Sequence, residues 1–475
     1  MVRFFKTFDP FRLGVAVIIF LIIRISFLLN GSPLLLNEIN WLTIGEKLNS
    51  GASMYRDIWY PIGPFSSFVY YFLNMLSGKS QTALWITSSF LVILQGIFFN
   101  FTLNAVGALR DRSALPALFY FLFATLFFDF NTLFPTLLGT TFLLVALYLI
   151  FEQLRNDLKE ELMLYSGIFI GIATLFSIHL GTFFFFAFLS YLFFGVLDLR
   201  KFLLLIVGFA FPFLLVGTYY FLKNGTSEYI TYYLLSFVNY KKTIFGSLQL
   251  YALILLVPAI IVLFSFFIIA NSSRYINFQY NLIKSMLLWL IFGILSFTLS
   301  NHLSPSSTFI LVPGLAFFSA HMFSLIQHRV FKESFFAGTA LFIIGISFIF
   351  SSDAAIHNKT WKIESMIASA VKPPYSEIKG KKVVVLGTFP EMYISNTLAT
   401  PYLDWQLSEK RFKNLNNFEN ITGIYRDFLR DSPDYIVDQM GLAEKIFKKI
   451  PSLGAAYTNV ENGLYQKVQP INNTY

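Results

Sequence analysis

The chain has 475 residues, of which 56% are hydrophobic and only 13% charged, with 59 Phe, no Cys and a formal net charge of +9. Soluble globular domains carry about a quarter charged residues, so a wholly soluble protein is excluded. The lack of Cys removes disulfides, thiolate metal sites and Cys nucleophiles. The basic surplus fits loops that orient a membrane protein better than a nucleic-acid surface, so no nucleic-acid partner is expected.

Met1 is followed by Arg3, Lys6 and Arg12 and then an apolar run with no small-residue cleavage motif. This predicts an uncleaved first membrane helix. Apolar runs of about 20 residues, the length that crosses a bilayer as helix, recur from Leu13 to Phe350. They are continuous rather than alternating, which predicts helices rather than a barrel. About eleven spans result, near 13–30, 84–107, 114–129, 133–151, 162–178, 181–197, 202–222, 248–270, 283–300, 306–326 and 334–351.

With the N-terminus inside, the inside loops hold Arg110 and Arg112, Arg155 and Lys159, Arg200 and Lys201, Arg274 and Lys284, then Arg329 and Lys332. The short opposite loops 129–132, 177–181 and 301–305 are poor in Lys and Arg. This is the positive-inside pattern. An odd number of spans then puts the tail outside, which in a Gram-negative bacterium is the periplasm.

Two outside segments are long. In the first, 31–83, residues 34–48 read as an amphipathic helix ended by Asn49-Ser50-Gly51. Residues 65–76 are apolar but too short to span, as interfacial or re-entrant segments are. The second, 223–247, is Tyr-rich and carries Lys241-Lys242.

From residue 352 the composition changes. Lys382-Val383-Val384-Val385-Leu386-Gly387 predicts a buried strand and a turn, and 433–438 a second strand. Residues 391–398 and 421–429 read as amphipathic helices, and 464–468 as an edge strand. The prediction is a membrane part over 1–351 and a small α/β domain over 352–475, large enough for its own core. The chain has no Walker loop, no HExxH and no GxSxG.

Ionisable residues at membrane depth are functional candidates, and Arg24 lies toward the outer end of the first span. Snorkelling to the interface is the plain alternative. His179 and His302 sit at outer ends of spans, where each is either a metal or phosphate partner or an ordinary interfacial His. Trp59 and Tyr60 suit stacking on a sugar or the aromatic belt of the interface.

The first outside loop and its surroundings resemble the GT-C superfamily of membrane glycosyltransferases, and within it the protein O-mannosyltransferase and aminoarabinose-transferase branch. That branch has an Arg late in its first helix, an Asp-Glu pair opening the first outside loop, a helix, a Gly-x-x-x-Tyr-x-Asp stretch and a Pro step into a juxtamembrane helix. A Phe-Gly-x-Ser-like turn then precedes the second span. The counterparts are Arg24, Asn37-Glu38, Gly51 to Tyr55-Arg56-Asp57, Gly63-Pro64-Phe65 and Ser77-Gly78-Lys79-Ser80, with a further acid at Asp129. One residue departs from the pattern, Asn37 in place of the pair's first acid.

The resemblance implies an α-helical polytopic membrane protein with a small extracytoplasmic α/β domain, in the bacterial inner membrane. It implies transfer of a hexosyl or pentosyl group from a polyprenyl-phosphate-linked donor to a lipid, glycan or protein acceptor outside. Such transfer needs a carboxylate to deprotonate the acceptor and cations or a divalent metal, Mg or Mn, at the departing phosphate. Glu38 is the expected base, with Asp57 second. Glu38, Asp129 and His179 are the expected metal residues. Arg24, Arg56, Lys79, Lys241 and Lys242 are the expected phosphate residues. A Glu at a helix start is also an ordinary dipole partner or cap. The alternative function, which Asn37 favours, is a non-catalytic GT-C-like component of an envelope assembly complex. A transporter would show broken helices, paired mid-membrane charges and inverted repeats, and the chain shows no such repeat.

Overall fold

A computed structural model describes residues 1–29, 31–155, 159–271, 276–461 and 463–471. Asn30 of the first predicted span and Arg274 of an inside loop lie outside the described residues. Among the described residues, eight helices are long and apolar enough to cross a membrane: Pro10–Leu29, Gln81–Val106, Pro135–Arg155, Leu199–Leu222, Leu248–Ile269, Asn277–Leu299, Pro305–Leu325 and Arg329–Phe350.

The other three predicted spans are also helical but shorter. Leu115–Phe123 stops where a 16-residue span was expected. Every residue in it is buried, so protein rather than lipid surrounds it and its backbone can turn at membrane depth. Glu161–Phe176 is followed by a 3₁₀ turn, Ile178–Gly181, and then Thr182–Phe193. The chain divides into two compact units.

The first unit comprises Met1–Pro33, Thr82–Val216 and Lys242–Met366. It holds most of the membrane helices. Where Glu161–Phe176 meets Leu199–Leu222, a Cβ on Gly208 would strike the Leu164 carbonyl and one on Gly167 the Leu205 carbonyl. Small residues let membrane helices approach this closely, since lipid supplies no hydrophobic drive between them.

The second unit comprises Leu34–Gln81, Gly217–Lys241 and Ile367–Tyr475. The two expected outside helices form, as Leu36–Asn49 and Pro64–Ser77. Pro64 starts the second because its missing N–H costs nothing in a first turn. The rings of Trp41 and Tyr70 stack at 5.6 Å between these helices. In the tail, strands β1 (Lys382–Leu386), β2 (Thr397–Leu398), β3 (Tyr435–Asp438), β4 (Tyr457–Glu461) and β5 (Leu464–Lys467) form one sheet in the order β2-β1-β3-β5-β4. The β1 pairings are parallel and the β5 pairings antiparallel. Helices Trp405–Lys413, Phe418–Arg430 and Ala443–Lys449 bury Phe412, Ile424, Phe428 and Ile446 in a core with Val384, Leu386 and Ile436.

Two expectations for the tail are corrected. Residues 464–468 do not form the edge, because β4 pairs outside them. Four of the five residues of β4 are exposed, so the strand has almost no apolar signal. Residues 391–398 do not form a helix. Pro390–Tyr393 is a 3₁₀ turn, and the segment then ends in β2.

Candidate functional site

In the first unit, Arg24 is buried and points into the protein, not toward an interface. Its guanidinium donates to the carbonyls of Asn131 at 2.8 Å and Phe130 at 2.9 Å, and to Ser88 Oγ at 3.4 Å. The planar fork matches two adjacent carbonyls, which a Lys would not. Those carbonyls belong to a 3₁₀ turn, Phe128–Asn131, that carries buried Asp129. Asp129 Oδ2 accepts the Ser306 N–H at 2.7 Å, at the start of the 3₁₀ turn Pro305–Leu311. A carboxylate at such a start answers the unpaired N–H groups there. Arg24 therefore holds the turn that aims Asp129.

His179 lies in the same unit, with Thr136 Oγ1 at 3.2 Å and Ser177 Oγ at 3.0 Å. His302 forms a two-residue parallel strand pair with Thr243. Exposed Lys242 donates to the Thr298 carbonyl. Among the described residues, no three His, Asp or Glu side chains are placed to hold a metal ion. Asp129 and His179, both in the first unit, belong to no such group.

In the second unit, Glu38 sits in the first turn of Leu36–Asn49 and is fully buried. Its Oε2 accepts the Leu35 N–H at 2.9 Å and the Gln81 amide at 2.9 Å. The first is the N3-to-N-cap half of a capping box, in which Gln serves as well as Glu. Glu38→Ala is expected to cost about 1–3 kcal/mol through the lost cap and an unmet buried amide, and Glu38→Gln much less. Thermal melting of the full chain in nanodiscs would separate the two.

Trp59 belongs to the tail core, not to an open sugar platform. Its backbone N–H donates to the Pro401 carbonyl at 2.7 Å and its backbone carbonyl accepts the Asp404 backbone N–H at 3.1 Å. Its ring stacks on Tyr232 at 4.9 Å, with the Arg411 guanidinium over it at 4.4 Å. Tyr60 is buried as well, and burial together with the Asp404 charge pushes its hydroxyl pKa up. Lys79 is committed to Glu46 at 2.7 Å and to the carbonyls of Tyr393 and Asn396. Lys241 is exposed.

Asp57 takes part in a polar cavity of about 390 Å³. The cavity wall carries four carboxylates, Glu46, Asp57, Asp427 and Asp431, and four cations, Lys47, Arg56, Lys382 and Arg430. Arg430 at 2.6 Å and Arg56 at 3.3 Å both pair with Asp57, which also accepts the Ser53 N–H at 2.8 Å. Lys47 and Lys382 both pair with Asp431. Burial would raise the Asp431 carboxyl, but these two ammonium groups outweigh it and hold the pKa below the usual range. Asp427 goes the other way: burial raises it, despite bonds from Tyr402 and Arg411. Asp404 is buried too, and desolvation lifts its carboxyl to about 6 against hydrogen bonds from Tyr240 and two backbone amides.

Of the expected residues, the structure brings Arg56 and Asp57 together, and it brings Arg24 to the turn of Asp129. Sequence reasoning missed Lys47, Lys382, Asp404, Asp427, Arg430 and Asp431. Only the Asp404 position carried a local signal, as an N-cap Asp before Trp405–Lys413.

The apolar helices, the helices Leu36–Asn49 and Pro64–Ser77 and the α/β tail define a polytopic helical membrane protein. The fold is similar to that of ArnT from Cupriavidus metallidurans. It matches the structure bound to undecaprenyl phosphate with a TM-score of 0.55 at 11% identity, over 97% of this chain and 99% of that one. It matches the apo state with a TM-score of 0.56 at 11% identity, over 95% and 96%. The archaeal oligosaccharyltransferase AglB from Archaeoglobus fulgidus, in complex with an inhibitory peptide and a dolichol-phosphate, aligns at a TM-score of 0.47 and 11% identity, over 97% of this chain and 75% of that one. No protein-family model and no curated protein sequence matches the chain. The expected GT-C resemblance holds as a likeness of fold.

Proposed function

We propose that the chain is an integral-membrane glycosyltransferase that moves a sugar from a polyprenyl-phosphate-linked donor to an acceptor outside the cytoplasm. The observation that carries this reading is the fold likeness, over nearly the whole of both chains, to ArnT bound to undecaprenyl phosphate. The loop charges support an inner-membrane protein with its N-terminus in the cytoplasm and its tail in the periplasm.

In this reading a carboxylate takes the proton of the acceptor hydroxyl as its oxygen bonds to the anomeric carbon. The bond from that carbon to the phosphate oxygen breaks, and polyprenyl phosphate leaves. Glu38 is the proposed base. Asp57 is the weaker candidate, because its carboxylate is already engaged by Arg430, Arg56 and the Ser53 amide. Lys241 and Lys242 are the proposed phosphate cations. Arg24 serves by holding the turn of Asp129, and Lys79 by tying Glu46 to the tail.

The second reading is a GT-C-like assembly component without activity. Asn37 favours it, and so does the double engagement of Glu38 as a cap and as the partner of Gln81. Complementation of a deletion strain with Glu38→Gln separates the two readings, because Gln keeps the cap and cannot accept a proton. The transferase reading expects normal protein and no glycan product. Full restoration by Glu38→Gln would favour the assembly reading.

A further inference from the structure

We propose that the polar cavity of the second unit binds a small dicarboxylate, with one carboxylate at Arg56 and Arg430 and the other at Lys382. The proposal concerns binding within this unit and does not rest on the transferase reading. Glu46, in the cavity wall, follows Glu38 on the helix Leu36–Asn49 by a separation of about 12 Å along the axis. The site is therefore apart from the proposed base.

The cavity has a volume of about 390 Å³, within the range of small-molecule sites. Its charge is not balanced. Glu46 is matched by Lys79 at 2.7 Å and Asp427 by Arg411 at 2.9 Å, and both of these cations stand outside the wall. The four cations of the wall are left with two carboxylates. Arg56 and Arg430 share Asp57, and Lys47 and Lys382 share Asp431. Each cluster keeps one positive charge in surplus. Two further groups offset one another: Asp434, which accepts the Lys382 backbone N–H at 3.0 Å, and Arg426, whose charge acts on Asp427.

The surplus is reachable. Lys47 is largely enclosed and also donates to the Leu398 carbonyl at 2.7 Å, but the side chains of Arg56, Arg430 and Lys382 stay 41%, 49% and 55% exposed. A guanidinium has five N–H groups, and Arg56 and Arg430 each engage Asp57 through one nitrogen. The remaining donors form planar forks that match a carboxylate. A positive field of this kind draws in an anion and repels a cation, and a neutral ligand would leave both charges unmet. Among the described residues no ion pair joins the Asp57 cluster to the Asp431 cluster, so the surplus sits at two separate points. Two singly charged groups on one short frame answer both points. A phosphate gathers its charge on one centre and would serve one cluster only.

The backbone adds an independent sign. Thr400, in the same wall, has φ of +62°. A β-branched residue in the left-handed region is an outlier, and Thr400 also precedes Pro401, where extended backbone is favoured. Its N–H donates to Asp431 Oδ2 at 3.3 Å, so strained backbone supports the carboxylate that holds Lys382. Strain of this kind gathers at ligand sites.

The test is saturation-transfer NMR on the full chain in nanodiscs of zwitterionic lipid, in low-salt buffer free of other carboxylates. Succinate is the probe, acetate the singly charged control and inorganic phosphate the competitor. Wild type is expected to bind succinate with a Kd of about 1 mM, as befits so small a ligand. Acetate and phosphate should each bind at least about tenfold more weakly, and added NaCl should weaken succinate binding by screening. Lys382→Gln and Arg430→Gln each remove the surplus of one cluster and should each weaken succinate at least about tenfold. If either variant does not fold, the ranking of the three anions on wild type still decides. Three results would overturn the proposal: no succinate signal with wild type, acetate or phosphate binding as tightly as succinate, or undiminished succinate binding in a folded variant. Transfer activity is not read, so this failure is distinct from failure of the transferase reading.

Discussion

Arg24→Lys is expected to lower sugar transfer about 100-fold while the protein still inserts into the membrane. The guanidinium serves two consecutive carbonyls, those of Phe130 and Asn131, from one rigid fork. An ammonium is a point donor on a flexible stem and cannot hold both in that geometry. The turn 128–131 would loosen, and Asp129 would shift with it. Displacing an aligned group by about 1 Å costs about 10²-fold in rate even where the mutated residue is not at the chemistry. Insertion should survive, because the positive charge and most of the side-chain volume are kept. The measurement is product formation per unit of membrane-inserted protein. Wild-type transfer by Arg24→Lys would mean that the turn needs no such tie.

Asp404→Asn is expected to stabilise the chain at pH 7.5 and to leave it unchanged at pH 3.5. Desolvation holds this carboxyl at about 6 in the folded protein, against about 3.9 in an unfolded chain. Between those values the folded state binds more protons than the unfolded state, so stability falls as pH rises through the window. Two pKa units correspond to about 3 kcal/mol. That contribution is fully present below about 4 and lost above about 6. Asn removes the buried charge and still caps the helix: its oxygen accepts the Leu407 N–H as Asp404 Oδ1 does at 3.2 Å. The Tyr240 hydroxyl, now 2.8 Å from Oδ2, turns to accept from the new amide. Melting temperatures of both proteins across pH 4–8 would show a gap that opens with rising pH. A less stable Asn variant at pH 7.5 would show that the charge of Asp404 is needed there.

Much of the fold was legible because its signals are local. The apolar runs marked the eight long helices and three shorter ones, since a helix satisfies its own backbone in lipid. Val383 to Leu386 announced a buried strand, and the spacing from Asn49 to Pro64 bounded the helices Leu36–Asn49 and Pro64–Ser77. What stayed hidden depends on partners far away in sequence. Lys47 meets Asp431 across 384 residues, and no local pattern marks either one. The exposed strand 457–461 looks like loop because its place at the sheet edge, not its composition, makes it a strand. Candidate residues were found by type, but their orientation was not. Trp59 suits a sugar platform in sequence and proves to be core, while Arg24 suits a lipid phosphate and proves to grip a turn.

The most direct test of the transferase reading is donor consumption by the purified chain. Lipid extracted from a deletion strain would be added to the protein in nanodiscs together with an acceptor membrane fraction, and the polyprenyl-phosphate pool followed by mass spectrometry. The account predicts that wild type converts a sugar-linked polyprenyl phosphate into free polyprenyl phosphate with glycosylated acceptor, and that Glu38→Gln, though folded, leaves the pool unchanged. A pool that wild type leaves untouched would contradict the transferase reading and favour the assembly component.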